Sequence, residues 1–381
     1  MTDVVAVRRL LLLGAGHAHL HVLRELVRRP IAGVETVLIV PGEQYSAAMV
    51  PGFLQGRYDA DDLRFDLAGM AGRAGARLVH SAVERVDAAR RVVVLPQGDQ
   101  LPFDVCSIDG VCEARGADTP GVAEHAVSLH PTSGALELRA RLDALVADAR
   151  PVAVVVVGGG ATGFQVALAL RERLQSSAGS HVALVEQAAE LLGGFEPSMR
   201  RLAADVLRAR GVSVALGGRV VSVSAGAVTL HNGATLPADL VVWVTGAVAP
   251  ALVARSGLPQ DGHGHLLVDR SLRAADGAPL WGAGCCIAVQ GIAESVRDGY
   301  AVREPPTLDR SLRAALGQGR PGRYRPQRAS LVLLDTGGGW ALMRWKGMQR
   351  HSRWAARLKD MIDRRFVRRY RESDEKGRSA S

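Results

Sequence analysis

Aromatic residues make up only 4% of the 381 residues. A surface that stacks bases needs a row of them, so the composition argues against nucleic-acid binding. Cysteine is scarcer still. Cys106, Cys112, Cys285 and Cys286 contain no Cys-x-x-Cys spacing and do not make a disulfide framework at this length. A bridge between Cys106 and Cys112 is not expected in a reducing compartment. Long apolar runs are missing too. None reaches the roughly eighteen residues that a membrane span needs. Arg8-Arg9 before Leu10–Leu13 mimics a signal peptide, but the apolar stretch is short and stops at glycine. A cytoplasmic protein is expected.

Charge is concentrated rather than abundant. The net charge is +9, and residues 344–371 alone hold eleven Lys/Arg against two Asp. The basic balance therefore belongs to the C-terminal tail, and the rest of the chain is close to neutral. Apolar residues at 48% and charged residues at 22% are ordinary for a globular protein. The length allows two or three domains, each with its own core.

What the chain does have is glycine in two telling places. Leu10–Leu13 reads as a buried strand, and a helix begins at His17. Gly14 and Gly16 lie between them, in the strand–turn–helix setting of a dinucleotide fingerprint. Gly14 permits the tight turn, and Gly16 is expected to let a pyrophosphate approach the backbone. The third fingerprint position is His19, so strand–helix packing must be managed without glycine. The same logic returns 144 residues later, complete, at Gly158, Gly160 and Gly163. Two such units suggest two facing nucleotides, a flavin and a nicotinamide.

Acids at strand ends refine this. Glu35–Val40 reads as the second strand of the first unit, and the nearest acid is Glu43, a candidate for a ribose hydroxyl. His181–Glu186 is the corresponding strand of the second unit and ends on an acid. Glu186 would bond an adenine ribose and repel a 2′-phosphate; no Arg follows directly, which favours NADH over NADPH. Asp66–Ala74 and Ala135–Ala149 read as helices. Arg77–His80, Arg91–Leu95, Val105–Ile108, Leu240–Val244 and Leu280–Gly284 read as strands, and Val212–Val223 as part of an antiparallel meander. Thr245-Gly246 closes one of these strands.

The order of parts resembles the two-dinucleotide-binding-domain flavoproteins, the group that includes type II NADH dehydrogenases and sulfide:quinone reductases. The nearest likeness is to the module associated with selenophosphate synthetase. It is carried by Gly14-Ala-Gly-His-Ala-His19, Tyr45-Ser46 with Met49-Val-Pro-Gly52, Tyr300-Ala-Val-Arg303 with Pro305-Pro306, and Lys359-Asp-Met-Ile-Asp-Arg-Arg-Phe366. The resemblance implies an α/β chain of two Rossmann-like dinucleotide-binding domains, the second inserted in the first, plus a small C-terminal α+β piece. Residues 1–118 and 243–322 would bind FAD, 119–242 would bind NAD(P)H, and 323–381 would carry the basic amphipathic helix. Tyr45, Met49 and Pro51 are expected near the flavin. The second flavin motif usually ends in Gly-Asp; here Gly284 is kept, but Cys285 stands in place of the Asp that holds the ribityl chain. A thiol is a poor acceptor, which implies weakened FAD binding. Gln165 is a second departure, where many relatives carry Glu.

His17, His19 and His21 invite a metal, but 17 and 21 share a helix face while 19 points elsewhere, so no metal site is expected. His17 is assigned to the pyrophosphate as a donor, and His19 and His21 to packing. Cys285-Cys286 would be redox-active only with a depressed pKa. In the tail, Trp354, Leu358, Met361, Ile362, Phe366 and Tyr370 recur at helical spacing beside a basic face. That suits a helix on the inner face of a membrane, a helix docked on its own domain, or a homodimer contact. The function expected is hydride transfer from NADH to FAD and on to a quinone, or to a selenium or sulfur compound. No catalytic side chain is assigned. The alternative is a degenerate, non-enzymatic nucleotide-binding module.

Overall fold

Leu10–Leu13 are fully buried at the centre of a five-stranded parallel sheet. A strand covered on both faces must be apolar throughout, which is why this stretch reads as an unbroken leucine run. In the computed structural model, which describes residues 7–110, 112–292, 300–326 and 331–371, the strand Arg8–Leu13 pairs with Val34–Val40 on one side and Val105–Asp109 on the other. Ala76–His80 and Leu280–Ala283 form the two edges.

A second five-stranded parallel sheet takes Ala126–Ser128, Leu240–Trp243, Ala153–Val157, His181–Glu186 and Val212–Leu216 in that order. The chain enters and leaves this region through neighbouring segments, since Glu113–Ala114 pairs antiparallel with Ala247–Val248. One expected feature is corrected here. Val212–Leu216 is not part of a meander but the parallel edge strand beside His181–Glu186. The antiparallel piece begins only at Val220, in a three-stranded sheet with Ala227–Leu230 and Thr235–Pro237. Gly217, at φ 69°, breaks the run between the two, and hydrophobic period alone does not separate a parallel edge from a meander.

The missing third glycine of the first unit is explained by His19. Its ring is completely buried. Nδ1 donates to the Gly14 carbonyl at 2.7 Å, so Nε2 is left to accept from the Ser107 hydroxyl at 2.8 Å. Burial lowers the imidazole pKa, which keeps the ring neutral and suited to one donor and one acceptor bond. A hydrogen-bonded ring thus ties the first helix, His17–Arg28, to two adjacent strands.

The C-terminal piece is a three-stranded antiparallel sheet, Val332–Gly337, Trp340–Trp345 and Met348–Ser352, followed by the helix Arg353–Arg371. The helix is docked on the first unit. Lys359 Nζ donates to Asp363 at 2.5 Å and to the Ala48 carbonyl at 2.7 Å. The Tyr58 hydroxyl donates to Asp360 at 2.5 Å, and the Phe366 ring lies 4.7 Å from that of His17. The small sheet is held by the second unit instead: Gln165, on the helix Ala161–Arg173, accepts the Asp335 N–H with its Oε1 at 2.8 Å. The apolar stripe read from the sequence is divided between two faces. Tyr370 is buried with Ala355, Ala356 and Val367, whereas Trp354, Met361 and Ile362 face outward, Trp354 at 60% exposure. The polar pair Lys359 and Asp363 takes inward positions that pattern alone assigns to apolar residues.

Completing the fingerprint by His19→Gly should therefore destabilise the protein. It removes two buried hydrogen bonds and leaves a cavity, so a loss of about 2–4 kcal/mol is expected in urea titration followed by circular dichroism. Unchanged or raised stability would show that the histidine merely fills a place glycine would fill better.

Candidate nucleotide sites

The second glycine loop leaves the end of the Ala153–Val157 strand. Each glycine has a separate reason. Gly158 has φ 116°, and a Cβ there would lie 2.4 Å from the Val244 carbonyl oxygen. A Cβ on Gly163 would lie 1.8 Å from the Gly158 carbonyl oxygen, which sets how closely the helix Ala161–Arg173 packs. At Gly160, nothing lies within 4 Å of the place a Cβ would take. That open space sits at the helix N-terminus, where N–H groups face outward to an anion.

Glu186 closes the loop from the neighbouring strand. Its Oε2 accepts the Gly159 N–H at 2.6 Å and its Oε1 the Ala188 N–H at 2.8 Å. These bonds fix the carboxylate at the rim of a cavity of about 200 Å³, lined by Gly158, Glu186, Arg219 and Trp243 among others. Arg219 was not found from the sequence, where only the residues directly after Glu186 were considered. The parallel pairing of Glu186 with Leu216 brings it there, since the loop after Leu216 turns back and Gly218 N–H donates to the Glu186 carbonyl. Gly246, with φ 93°, lies in the exposed crossing segment, its carbonyl accepting the Arg115 N–H at 3.0 Å.

The first glycine loop is built differently. Gly14, at φ 86°, makes the tight turn as expected. At Gly16 the expectation is corrected: the space left by the missing Cβ is filled by protein. A Cβ would lie 2.3 Å from Asp109 Oδ1. The buried Asp109 carboxylate accepts the N–H groups of Ala18 and His19, both at 2.8 Å, and so caps the first helix. It was missed because it stands 90 residues away, at the end of the adjacent strand. Gly284, at φ 77°, is confined by the same side chain, with an added Cβ 2.7 Å from Asp109 Oδ1.

A cavity of about 280 Å³ opens over these strand ends, with Gly16, His17, Tyr45, Gly110, Gly284 and Cys285 on its wall. His17 reaches it, but its ring packs on Phe366. Burial lowers its pKa against the pull of Asp109, so the ring is not the cationic donor that a pyrophosphate would attract. Tyr45 also reaches the cavity, and its hydroxyl donates to Glu43. Glu43 is bonded to Arg64 as well, and both bonds hold its carboxyl below the usual range. Burial and the Glu43 bond push the Tyr45 phenol up to about 12. Met49, at the end of the turn Ala47–Met49, and Pro51, in the short helix Val50–Leu54, are buried core residues and not wall residues. Their loop meets the cavity through Tyr45 and Ala47.

The cysteines depart from expectation. Cys285 is not a free thiol but is joined to Cys112, with Cα atoms 6.4 Å apart and a sequence separation of 173. Both residues follow strands that are neighbours in the first sheet, Val105–Asp109 and Leu280–Ala283, so their loops emerge side by side. Cys286 is buried, its Sγ 3.1 Å from the Ala283 carbonyl, and burial raises its pKa far above neutrality. Cys106 is buried and shifted in the same way. Neither is a reactive thiolate.

One group in this cavity is left wanting. Glu304, on the helix Tyr300–Ala315, is 1% exposed; its Oε2 accepts the Gly284 N–H at 2.6 Å, and its Oε1 has no hydrogen-bond partner among the described residues. A buried polar atom without a partner costs about 1–3 kcal/mol, so it marks a place where a polar ligand belongs. A polyol or pyrophosphate chain supplies such a partner. The residues present fit FAD at this first site, and the open Gly160 cradle with Glu186 fits a nicotinamide dinucleotide at the second.

The chain is similar to known proteins in sequence and in fold. The family model described as pyridine nucleotide-disulphide oxidoreductase matches residues 8–301. An NADH dehydrogenase-like protein of Mycobacterium tuberculosis is 28% identical over 290 residues, 72% of each chain. A demethylphylloquinone reductase of Synechocystis is 25% identical over 285 residues, 72% of this chain and 70% of its own. The fold is also that of NDH2 from Plasmodium falciparum, solved in complex with NADH, at a TM-score of 0.81 and 14% identity, covering 98% of this chain and 99% of that one. The chain belongs to the pyridine nucleotide-disulphide oxidoreductases, and it is an FAD-dependent NAD(P)H oxidoreductase.

Proposed function

We propose that this enzyme oxidises NADH at the second glycine loop and passes the electrons, through FAD at the first, to a quinone. The observation that carries the reading is the pair of unlike nucleotide sites on two parallel sheets, one an open cradle and one a cavity with an unpaired carboxyl oxygen. Bound FAD supplies the chemistry, accepting a hydride and releasing the electrons to a second acceptor. The chain's own residues bind and orient. Gly158, Gly160 and Gly163 seat the NADH pyrophosphate at the helix N-terminus. Glu186 accepts from a ribose hydroxyl, and its charge disfavours a 2′-phosphate. Gly14, Tyr45, Gly284 and the neighbouring wall hold the FAD. On this reading residues 1–118 and 243–322 serve FAD, and 119–242 serve NADH.

The demethylphylloquinone reductase among the relatives supports a quinone acceptor. The tail supports it as well. No described helix is long and apolar enough to cross a membrane. The Arg353–Arg371 helix instead presents Trp354, Met361 and Ile362 outward, beside exposed Arg357 and Arg365. That face suits peripheral contact with anionic lipid, in which quinones dissolve; a homodimer through the same face would appear as a change in oligomeric state. A selenium or sulfur acceptor has less behind it. The residues carrying the likeness to the selenophosphate synthetase-associated module, Lys359 to Phe366, are engaged in docking the tail.

Three outcomes are expected. Gly160→Val fills the open cradle, so NADH should no longer bleach the flavin absorbance of the purified protein, while the FAD content stays unchanged. Loss of FAD with an intact NADH response would reverse the two site assignments. In steady-state assays the wild type should prefer NADH, and Glu186→Ala should narrow that preference about tenfold, one charge repulsion being worth roughly 1.4 kcal/mol. A wild type that prefers NADPH would assign the pocket to Arg219 instead. Replacing Trp354, Met361 and Ile362 together by Ser should abolish sedimentation with anionic vesicles but leave the melting temperature unaltered. Each apolar side chain contributes roughly 1.5–3 kcal/mol on burial. Vesicle binding that survives the triple replacement would remove this face from the membrane contact.

A further inference from the structure

Resting on the FAD assignment above, we infer that Glu304 is the residue that positions the flavin nucleotide in its cavity, its Oε1 hydrogen-bonding an oxygen of the ribityl–pyrophosphate chain. The neighbouring wall groups already have partners within the protein. The Cys285 sulfur is bonded to Cys112 and has no proton to give. The Tyr45 hydroxyl donates to Glu43. Asp109 Oδ2 is committed to the first helix through Ala18 and His19, which leaves only Oδ1. Of these four, Glu304 is the one with a fully buried side-chain atom that has no partner among the described residues.

Its protonation state completes the picture. Burial pushes the Glu304 carboxyl up to about 8; the Gly284 N–H pulls it down, and the charge of Asp109 raises it further. The side chain is therefore neutral near pH 7. Because Oε2 is held as acceptor by Gly284, the proton sits on Oε1, which becomes a donor directed at an acceptor oxygen. A neutral donor is what this place requires. A second carboxylate beside Asp109 would repel an anionic dinucleotide, whereas a carboxylic acid binds it without adding charge. Glu304 makes up for the acceptor lost at Cys285 by a donor from another element, twenty residues further along the chain.

The test uses the full-length holoprotein and reads FAD release on dilution through the return of flavin fluorescence. Glu304→Gln keeps an acceptor for Gly284 and a donor for the ligand, so its FAD dissociation constant should stay within about threefold of wild type. Glu304→Leu should raise it tenfold or more. NADH binding at the second loop, followed by nucleotide fluorescence, should be the same in both variants and reports that the protein is folded. Should the leucine variant lose NADH binding too, Glu304→Asp takes its place. Aspartate falls one methylene short of the ligand and should weaken FAD tenfold while glutamine does not. FAD held equally tightly by wild type and leucine variant, or lost equally from glutamine and leucine variants, would overturn the inference alone. A wild type that takes up no FAD would overturn the flavin reading with it.

Discussion

The first nucleotide site is organised by one buried carboxylate. Asp109 sits at the N-terminus of the first helix and accepts two of its free N–H groups, a position where negative charge is stabilised by both the bonds and the helix dipole. Hydrogen bonds to a charged group contribute about 1.5–3 kcal/mol each. The side chain demands that Gly16 and Gly284 have no Cβ, so it dictates glycine at two separated positions. Its charge reaches further. It opposes the burial that keeps His17 neutral and helps to hold the proton on Glu304. One residue thereby sets the backbone, the packing and the protonation of the cavity wall.

The two nucleotide sites share a plan and solve it with different parts. At the second loop the glycines do what the fingerprint asks: a turn, an open cradle and a close helix contact. At the first, a protein carboxylate takes the space beside the second glycine, and a hydrogen-bonded histidine replaces the third. Each substitution has a partner elsewhere. His19 is answered by Ser107, and Cys285 by Cys112. The strand order explains both pairings, because Val105–Asp109 lies between Arg8–Leu13 and Leu280–Ala283. Residues on or just after that strand are within reach of both neighbours.

The tail follows the same economy. Its helix buries the polar pair Lys359 and Asp363 among Ala355, Ala356, Val367 and Tyr370, and leaves Trp354, Met361 and Ile362 outside, unlike an ordinary surface helix. The inward pair is satisfied, since Lys359 bonds both Asp363 and the Ala48 carbonyl, and burying a charge without such partners would cost several kcal/mol. The Ala48 carbonyl belongs to the loop that also contributes Tyr45 and Ala47 to the wall of the first cavity.

The sequence by itself determined the architecture: two glycine loops, the strands that carry them, the insertion of one unit in the other, and a basic tail with its own small sheet. The loops, their strands and the basic tail were legible because each rests on local patterns, such as apolar runs, glycine spacing and an acid at a strand end; the insertion and the small C-terminal sheet were implied by the family resemblance. Only the tertiary structure decided what fills the first loop. Asp109, Arg219, Glu304 and the Cys112–Cys285 bridge act across gaps of 20 to 173 residues, and no local pattern marks them. Their meeting depends on which strands lie side by side in a parallel sheet. In such a sheet every strand runs the same way, so the carboxyl ends of strands far apart in sequence converge at one end of the sheet and build the site.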